Sequence, residues 1–476
     1  MPALKNYMGF EVYEQSIHTT GTSEVFMARD GLDTVIIAVN NPGFAGTDIG
    51  GGKVKAPLTH ENAELLRRLF PFTAPSRVLR KDRSFGVGDR LGIASPGHIQ
   101  VFKKYDAYPV LAQQSIRELN FTNRTYEDVL DAVSFAVFRE NFTKGFGADG
   151  DHLKTAKDVE YALSLGFTMI TLDCSEHIRN DVSDGSVAGD SIPEKYAAKY
   201  LGKSFDIGEG ITLSFTELEL KKILAIYGKA IDFAAEMYSK FLKDGKYEAD
   251  FEISIDETES VTTPIQHFFV ARELIDAGVS FATMAPRFCG EFQKGVDYIG
   301  DIAQFEKEIK VHAAIARHFK YKLSIHSGSD KFSVFPAIGE AARGIFHVKT
   351  AGTNWLEAMR VVAMADPALY REVHKYAIAA FDEARKFYHV TTDLSKIPNL
   401  DSLSDAELPK LFEQNDSRQL IHITYGLILN KKNSDGSYTF KDRLYQLWAK
   451  NEDLYAQALV NHIGKHLELL GVRKIG

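Results

Sequence analysis

The sequence predicts an α/β fold: a (β/α)8 TIM-like barrel with a small N-terminal α/β lobe and a helical C-terminal extension. Three observations lead there. Short runs that are apolar in the middle and polar at the carboxyl end recur through the middle of the chain. Each is followed by apolar residues at helical spacing. The alternation repeats seven or eight times, as a barrel requires, and strands buried on both faces read as such runs. A doubly wound open sheet is the competing architecture. The divisions expected are a lobe over 1–80, a barrel over 84–390 and an extension over 391–476.

In the lobe, Ser23 to Ala28 and Thr34 to Val39 are β-rich runs separated by the turn Asp30-Gly31-Leu32-Asp33. His60 to Phe70 is a helix, ended by Pro71 and Pro75. From Ser84 the texture changes. Arg83 to Gly92 is a glycine-rich turn feeding a helix from Pro96 to Lys104, and it presents Asp89 and Arg90 to a site. Its glycine spacing is not that of a dinucleotide fingerprint, and no Gly-Lys-Ser/Thr ending makes it a Walker loop.

The barrel alternation follows. Tyr108 to Gln114 is a strand ending in the amides Gln113 and Gln114, with a helix from Tyr126 to Arg139. An aromatic lead-in, Phe142 to Phe146, runs into Gly147-Ala-Asp-Gly-Asp-His152, an acidic turn at a strand end, and a helix opens near Thr155. Phe167 to Asp173, Asp250 to Glu257, Ser280 to Phe288, Lys322 to His326 and Gly344 to Thr350 continue the strands. Residues 181–210 are a polar, Gly-rich insertion. Beyond 390 the chain is mostly helical and packs around the barrel.

Composition narrows the function. At 476 residues, 45% hydrophobic and 25% charged, this is ordinary soluble globular composition. A net charge of -8 argues against a nucleic-acid partner. No apolar run is long enough for a membrane span and no signal pattern opens the chain, so a cytoplasmic location is expected. Two cysteines, Cys174 and Cys289, suit a reducing compartment rather than a disulfide framework. A homo-oligomer is compatible with all of this.

In a barrel, the polar strand-end residues converge on one mouth. Two imidazoles and a carboxylate there, with further positions left to water and substrate, suit an open site for Mn, Zn, Ni or Co. His152 and His326 are the best imidazoles, since each directly follows a strand run. Glu252 lies inside a strand in which Phe251, Ile253 and Ile255 alternate with it, so its carboxylate points into the barrel. Desolvation raises such a pKa unless a cation compensates, which suits a general acid/base; an ion pair with Arg287 or Lys349 is the plain structural reading. Arg287 and Lys349 are the cations available to anchor an anionic substrate group, and Asp173 joins the polar mouth.

Several segments carry a resemblance. They are Ser84-Phe-Gly-Val-Gly-Asp-Arg-Leu-Gly92, Ala112-Gln-Gln-Ser115, Gly145-Phe-Gly-Ala-Asp-Gly-Asp-His152, Phe251-Glu-Ile-Ser-Ile-Asp-Glu-Thr-Glu259, His326-Ser-Gly-Ser-Asp-Lys-Phe332, His347-Val-Lys-Thr-Ala-Gly352 and Arg418-Gln-Leu-Ile-His422. With these, the chain from about residue 84 onward resembles the tagaturonate/fructuronate epimerase family, whose engineered relatives serve as tagatose 4-epimerases. Residues 1–80 match less clearly.

The resemblance implies a divalent-metal-dependent isomerase that inverts C4 of a 2-keto-hexuronate (D-tagaturonate to D-fructuronate) or of the related ketohexose (D-fructose/D-tagatose). The family's proton acceptor falls on Asp151, its proton donor on Glu252 and its metal histidines on His152 and His326, with Glu291 the candidate third ligand. Asp89, Arg90, Gln113, Gln114, Asp173, Arg287 and Lys349 are the substrate-binding candidates. A metal-dependent aldolase or ketose isomerase on the same barrel is the alternative, and a non-catalytic sugar-acid binder the third reading. Because C4 is not adjacent to the carbonyl, its C–H bond is not acidified. Its hydroxyl is β to C2, the arrangement that retro-aldol cleavage needs.

Overall fold

The computed structural model describes residues 5–475. Its barrel strands are β1 (Arg83–Val87), β2 (Tyr108–Ser115), β3 (Gly147–Leu153), β4 (Met169–Asp173), β5 (Asp250–Ile255), β6 (Thr283–Pro286), β7 (Lys322–Ile325) and β8 (Phe346–Thr350). They pair in parallel and in chain order, and β8 closes against β1, so this eight-stranded sheet has no free edge. Along β5 the expected alternation holds: Phe251, Ile253 and Ile255 join the apolar core that also holds Phe268 and Leu274 of the helix Pro264–Asp276, while Glu252 points inward. That helix starts where Thr263 accepts from the Gln266 amide in a capping box and Pro264 supplies a preset φ.

Two local readings change. The run from Arg83 is a barrel strand, not a turn, and the helix after it spans Ser95–Phe102. Glycine hid the strand, and the barrel explains the glycine: a Cβ on Gly86 would collide with the Gln113 side chain, which crosses from β2 to donate to Thr350 O at 3.2 Å. Likewise Gly147 to His152 is itself strand β3 rather than a turn after one.

The N-terminal lobe is a seven-stranded antiparallel sheet built around the long pair Ser23–Asp30 and Asp33–Val39. It packs with the helix His60–Leu69 against Phe135 and Phe138 of the barrel helix Tyr126–Arg139. The insertion after β4 holds the hairpin Ser204–Asp206/Thr212–Ser214. Both cysteines are buried and unpaired. Among the described residues no helix is long and apolar enough to cross a membrane.

The C-terminal helices bury Trp448, Tyr370 and Leu444 in a second core together with Trp355 and Met359 of the helix Thr353–Ala365 that follows β8. The last long helix, Glu452–Leu469, lies against the helix Ser95–Phe102. Where that helix ends, Gly339 of the helix Phe335–Ala341 packs so closely that an added Cβ would strike the Leu470 carbonyl. Backbone cannot yield as a side chain does, so Gly339→Ala is expected to destabilise the fold by about 1–3 kcal/mol. Urea unfolding of the variant checks this; an unchanged midpoint would mean the two helices slide freely.

Candidate active site

The carboxyl ends of the strands open on a cavity of about 700 Å³. At its floor stands the Lys349 ammonium. Its Nζ lies 2.7 Å from Asp149 Oδ2, 2.6 Å from Thr171 Oγ1 and 3.3 Å from Glu252 Oε1, and it also pairs with Asp151 Oδ1. Burial works against this charge, but the surrounding carboxylates of Asp149, Asp151 and Glu252 raise it well above the usual lysine range.

Strand register assembles the rest. Thr171, Glu252 and Thr283 stand side by side on β4, β5 and β6, so each threonine hydroxyl reaches Glu252, at 3.1 Å and 2.5 Å. Glu252 Oε1 is also 2.8 Å from His326 Nε2, and His326 Nδ1 is 3.1 Å from Asp256 Oδ1. Burial alone would raise the Glu252 pKa; Lys349 and His326 instead hold it well below the usual carboxylate range. The compensating cation that sequence reading made conditional is therefore present. Asp149, with the same lysine but less help, is pushed by burial up to about 6.

His152 would face away from Asp151 in an unbroken strand. Between Gly150 and Leu153, however, the register with β4 slips, and His152 takes φ 53°. A bulge of this kind re-aims a side chain at a barrel rim. The His152 ring consequently sits 5.0 Å from the His326 ring, with Asp151 Oδ1 at 3.7 Å, Asp173 Oδ2 at 3.5 Å and Glu257 Oε1 at 4.0 Å. Against the penalty of burial, Asp151 and Glu257 raise His152 to about 9, and Asp256 and Glu252 raise His326 to about 10.

These residues fit a divalent ion. His152, Asp173 and Glu257 each offer a ligand atom, all within 4.8 Å of one another. The buried atoms His152 Nδ1, His326 Nδ1, Asp173 Oδ2 and Asp151 Oδ1 lack well-formed hydrogen bonds. Nitrogen and oxygen donors without thiolates suit Zn, Mn, Ni or Co, and the negative field that forces protons onto two imidazoles is one a metal ion would neutralise.

The profile of one family, UxaE, tagaturonate epimerase, matches residues 13–470. The chain belongs to the tagaturonate epimerase family. It is 42% identical to a tagaturonate/fructuronate epimerase of Thermotoga maritima, over 97% of both chains. Crystal structures of the fructuronate-tagaturonate epimerase UxaE from Cohnella laeviribosi, one glycerol-complexed and one native, superpose with a TM-score of 0.95 at 49% identity, covering 98% of this chain and 97% of theirs. The chain is thus an epimerase, an enzyme of the isomerase class. The match also reaches into the N-terminal lobe, further than the motifs alone suggested.

Within this epimerase, Asp151, His152, Asp173, Glu252, His326 and Lys349 come together as the sequence implied. Lys349 is already neutralised by three carboxylates, which removes it as an anchor for an anionic substrate group. Arg287 lines the cavity, its guanidinium on Thr258 O and in no ion pair among the described residues. Gln113 lines it too, with Oε1 unpartnered, whereas Gln114 turns its Nε2 back to Gln113 O. Glu291 reaches the same cavity but pairs with Gln293 and His389 rather than with either imidazole.

Asp89 and Arg90 serve the architecture instead. Arg90 Nε donates to Glu118 at 2.9 Å, and its guanidinium stacks 3.9 Å from the Tyr425 ring centre, although part of it reaches the cavity wall. Asp89 accepts from the amides of Leu91, Gly92 and Ala94 and does not line the cavity. Sequence reading passed over Asp149, Thr171, Asp256 and Glu257. The acid run after β5 was a usable signal for the last two; Thr171 had none, since a threonine inside a strand is unremarkable.

Asp89→Ala is expected to lower stability by about 1–3 kcal/mol through its orphaned amides, while KM of the folded enzyme stays within a factor of about two. Asp89→Asn, which keeps an acceptor, should lose less. Thermal melts beside steady-state kinetics check both, and a raised KM at full stability would return Asp89 to the substrate.

Proposed function

We propose that this epimerase interconverts D-tagaturonate and D-fructuronate by inverting C4, with a divalent ion held by His152 and His326. The observation that carries the reading is the convergence of those two imidazoles between Asp151 and Glu252 at one barrel mouth, in a chain whose relatives bear that substrate name. Asp173 and Glu257 face His152 Nδ1 at 3.5 Å and 4.0 Å, and Asp256 lies beside His326 Nδ1, so a third ligand comes from these before Glu291. The ion supplies Lewis-acid polarisation of the C2 carbonyl when bound. The neutral pair D-fructose/D-tagatose differs at C6 and would enter the same chemistry.

The protein's own groups handle the proton. One carboxylate of the Asp151/Glu252 pair takes the C4 hydroxyl proton, the C3–C4 bond opens, and its electron pair passes to C3 as the C2–C3 enediolate while C4 becomes an aldehyde. After the aldehyde rotates, C3 attacks its other face, and the new C4 alkoxide regains a proton from the opposite side. Asp151 as acceptor is consistent with its ionised state beside Lys349. Glu252, bonded to His326, is also held ionised; on the opposite side it takes a proton from water and returns it to the new alkoxide, while His326 as a metal ligand is neutral. Lys349 fixes both carboxylates and leaves them acceptors.

Chelator-treated enzyme is expected to lose activity on D-tagaturonate and regain it with Mn, Ni, Zn or Co; full activity in metal-free protein would remove the ion from the mechanism. His152→Ala and His326→Ala should each weaken metal binding by at least about 10–100-fold, the loss that outer contacts alone can cause. His312→Ala, whose ring is 2.9 Å from His267 in a separate buried pair, should leave it unchanged.

Substrate deuterated at C4 tests the bond that breaks. Retention of deuterium in the epimer is expected, because the C4–D bond is never cleaved. Loss of label at the rate of turnover would point to direct exchange at C4, and three-carbon fragments as main products to an aldolase.

A further inference from the structure

With Lys349 neutralised, the cavity needs another cation if its substrate is a uronate. C6 lies two bonds beyond C4, so its carboxylate must meet a charge near the Asp151–Glu252 pair but outside the cluster that pair forms with Lys349. Lys294, on the loop after β6, meets that requirement. It lines the cavity, and its Nζ donates to Ser327 Oγ at 3.0 Å, one residue beyond His326. Among the described residues it has no carboxylate within ion-pair distance. Of the acids that face it, Glu118 is committed to Arg90 at 2.8 Å and Glu257 lies toward His152. Burial disfavours the ammonium, and Arg117 and Arg90 add charge of the same sign. Arg117 lines the same cavity, its guanidinium over the Tyr388 ring at 5.2 Å and likewise without an ion pair.

The loop carrying Lys294 is tied down at every step. Lys331 Nζ donates to Gln293 O at 2.8 Å and Val296 O at 2.7 Å, Gln419 Nε2 to Lys294 O at 3.2 Å, and Arg418 Nε to Gly295 O at 2.8 Å. An ammonium on so fixed a backbone loses little freedom when it binds an anion. A half-buried cation with a hydroxyl for its partner, beside a second cation without an ion pair among the described residues, is by its chemistry set up to receive an anion.

We propose that Lys294, seconded by Arg117, receives the C6 carboxylate and so sets the preference for a hexuronate over a neutral ketohexose. The assignment rests on the epimerase reading above. It moves the anchoring role from Lys349 to a residue that sequence reading did not select, and leaves Arg287 for other oxygens of the sugar.

The test compares wild type, Lys294→Met, Lys294→Arg and Arg287→Met by KM for D-tagaturonate, by competitive inhibition with D-tagatose, and by metal content. Lys294→Met is expected to raise KM for D-tagaturonate about 100-fold, as loss of a hydrogen-bonded charge partner does, while D-tagatose inhibition shifts less than about threefold. Metal content should be unchanged, and Lys294→Arg should recover part of the loss. Equal losses with both sugars would overturn the assignment in favour of a structural lysine. So would a selective loss in Arg287→Met with none in Lys294→Met. Wild-type enzyme inert toward D-tagaturonate would overturn the substrate reading itself, which an active wild type with an indifferent Lys294→Met would leave standing.

Discussion

One ammonium group organises the interior of this barrel. Asp149 and Asp151 come from β3 and Glu252 from β5, and their charges could not share so small a volume without Lys349 between them. Leaving any of these buried carboxylates unpaired would cost several kcal/mol. The cluster therefore sets the identity of the strand ends, keeps Asp151 and Glu252 ionised, and holds Asp151 on the cavity with Glu252 buried beside His326. The two threonines in register with Glu252 complete its shell, so the carboxylate is fixed in place as well as in charge.

A second constraint comes from outside the barrel. His326 opens the loop His326 to Phe332, and that loop is gripped by the C-terminal helices. Asp330 pairs with His462 at 2.6 Å and with Arg418 at 2.8 Å, while its backbone amide donates to His466 Nε2 at 3.0 Å. His462 also faces Glu357 at 3.5 Å, tying the same helix to the one after β8. Although Asp330, His462 and His466 are grouped closely enough to suggest a metal site, their nitrogens and oxygens are spent on this clamp. The extension thus does more than cover the barrel: it sets the position of an imidazole in the candidate site.

Much of the site was legible because the polar strand ends stand out against apolar strand interiors. Asp151, Glu252 and His326 were found in that way, and the resemblance assigned their roles. Other readings turned on partners that a residue's own segment does not announce. Asp89 and Arg90 look like site residues in a glycine-rich run, but their partners are local amides in one case and Glu118 and Tyr425 in the other. Lys349 was taken for a substrate anchor because nothing in its own segment shows three carboxylates arriving from elsewhere.

Periodicity and the polar ends of the strands were enough, in the sequence alone, to determine a parallel barrel and most of the residues at its mouth. Both are short-range patterns, set by which face of each element is buried. The closed order of strands, the bulge that turns His152 toward His326, and the pairing of each charge belonged to the tertiary structure. Alternation along one strand says which way a side chain points; which charge it meets depends on register between strands far apart in the chain, as Asp149 and Lys349 are at 200 positions.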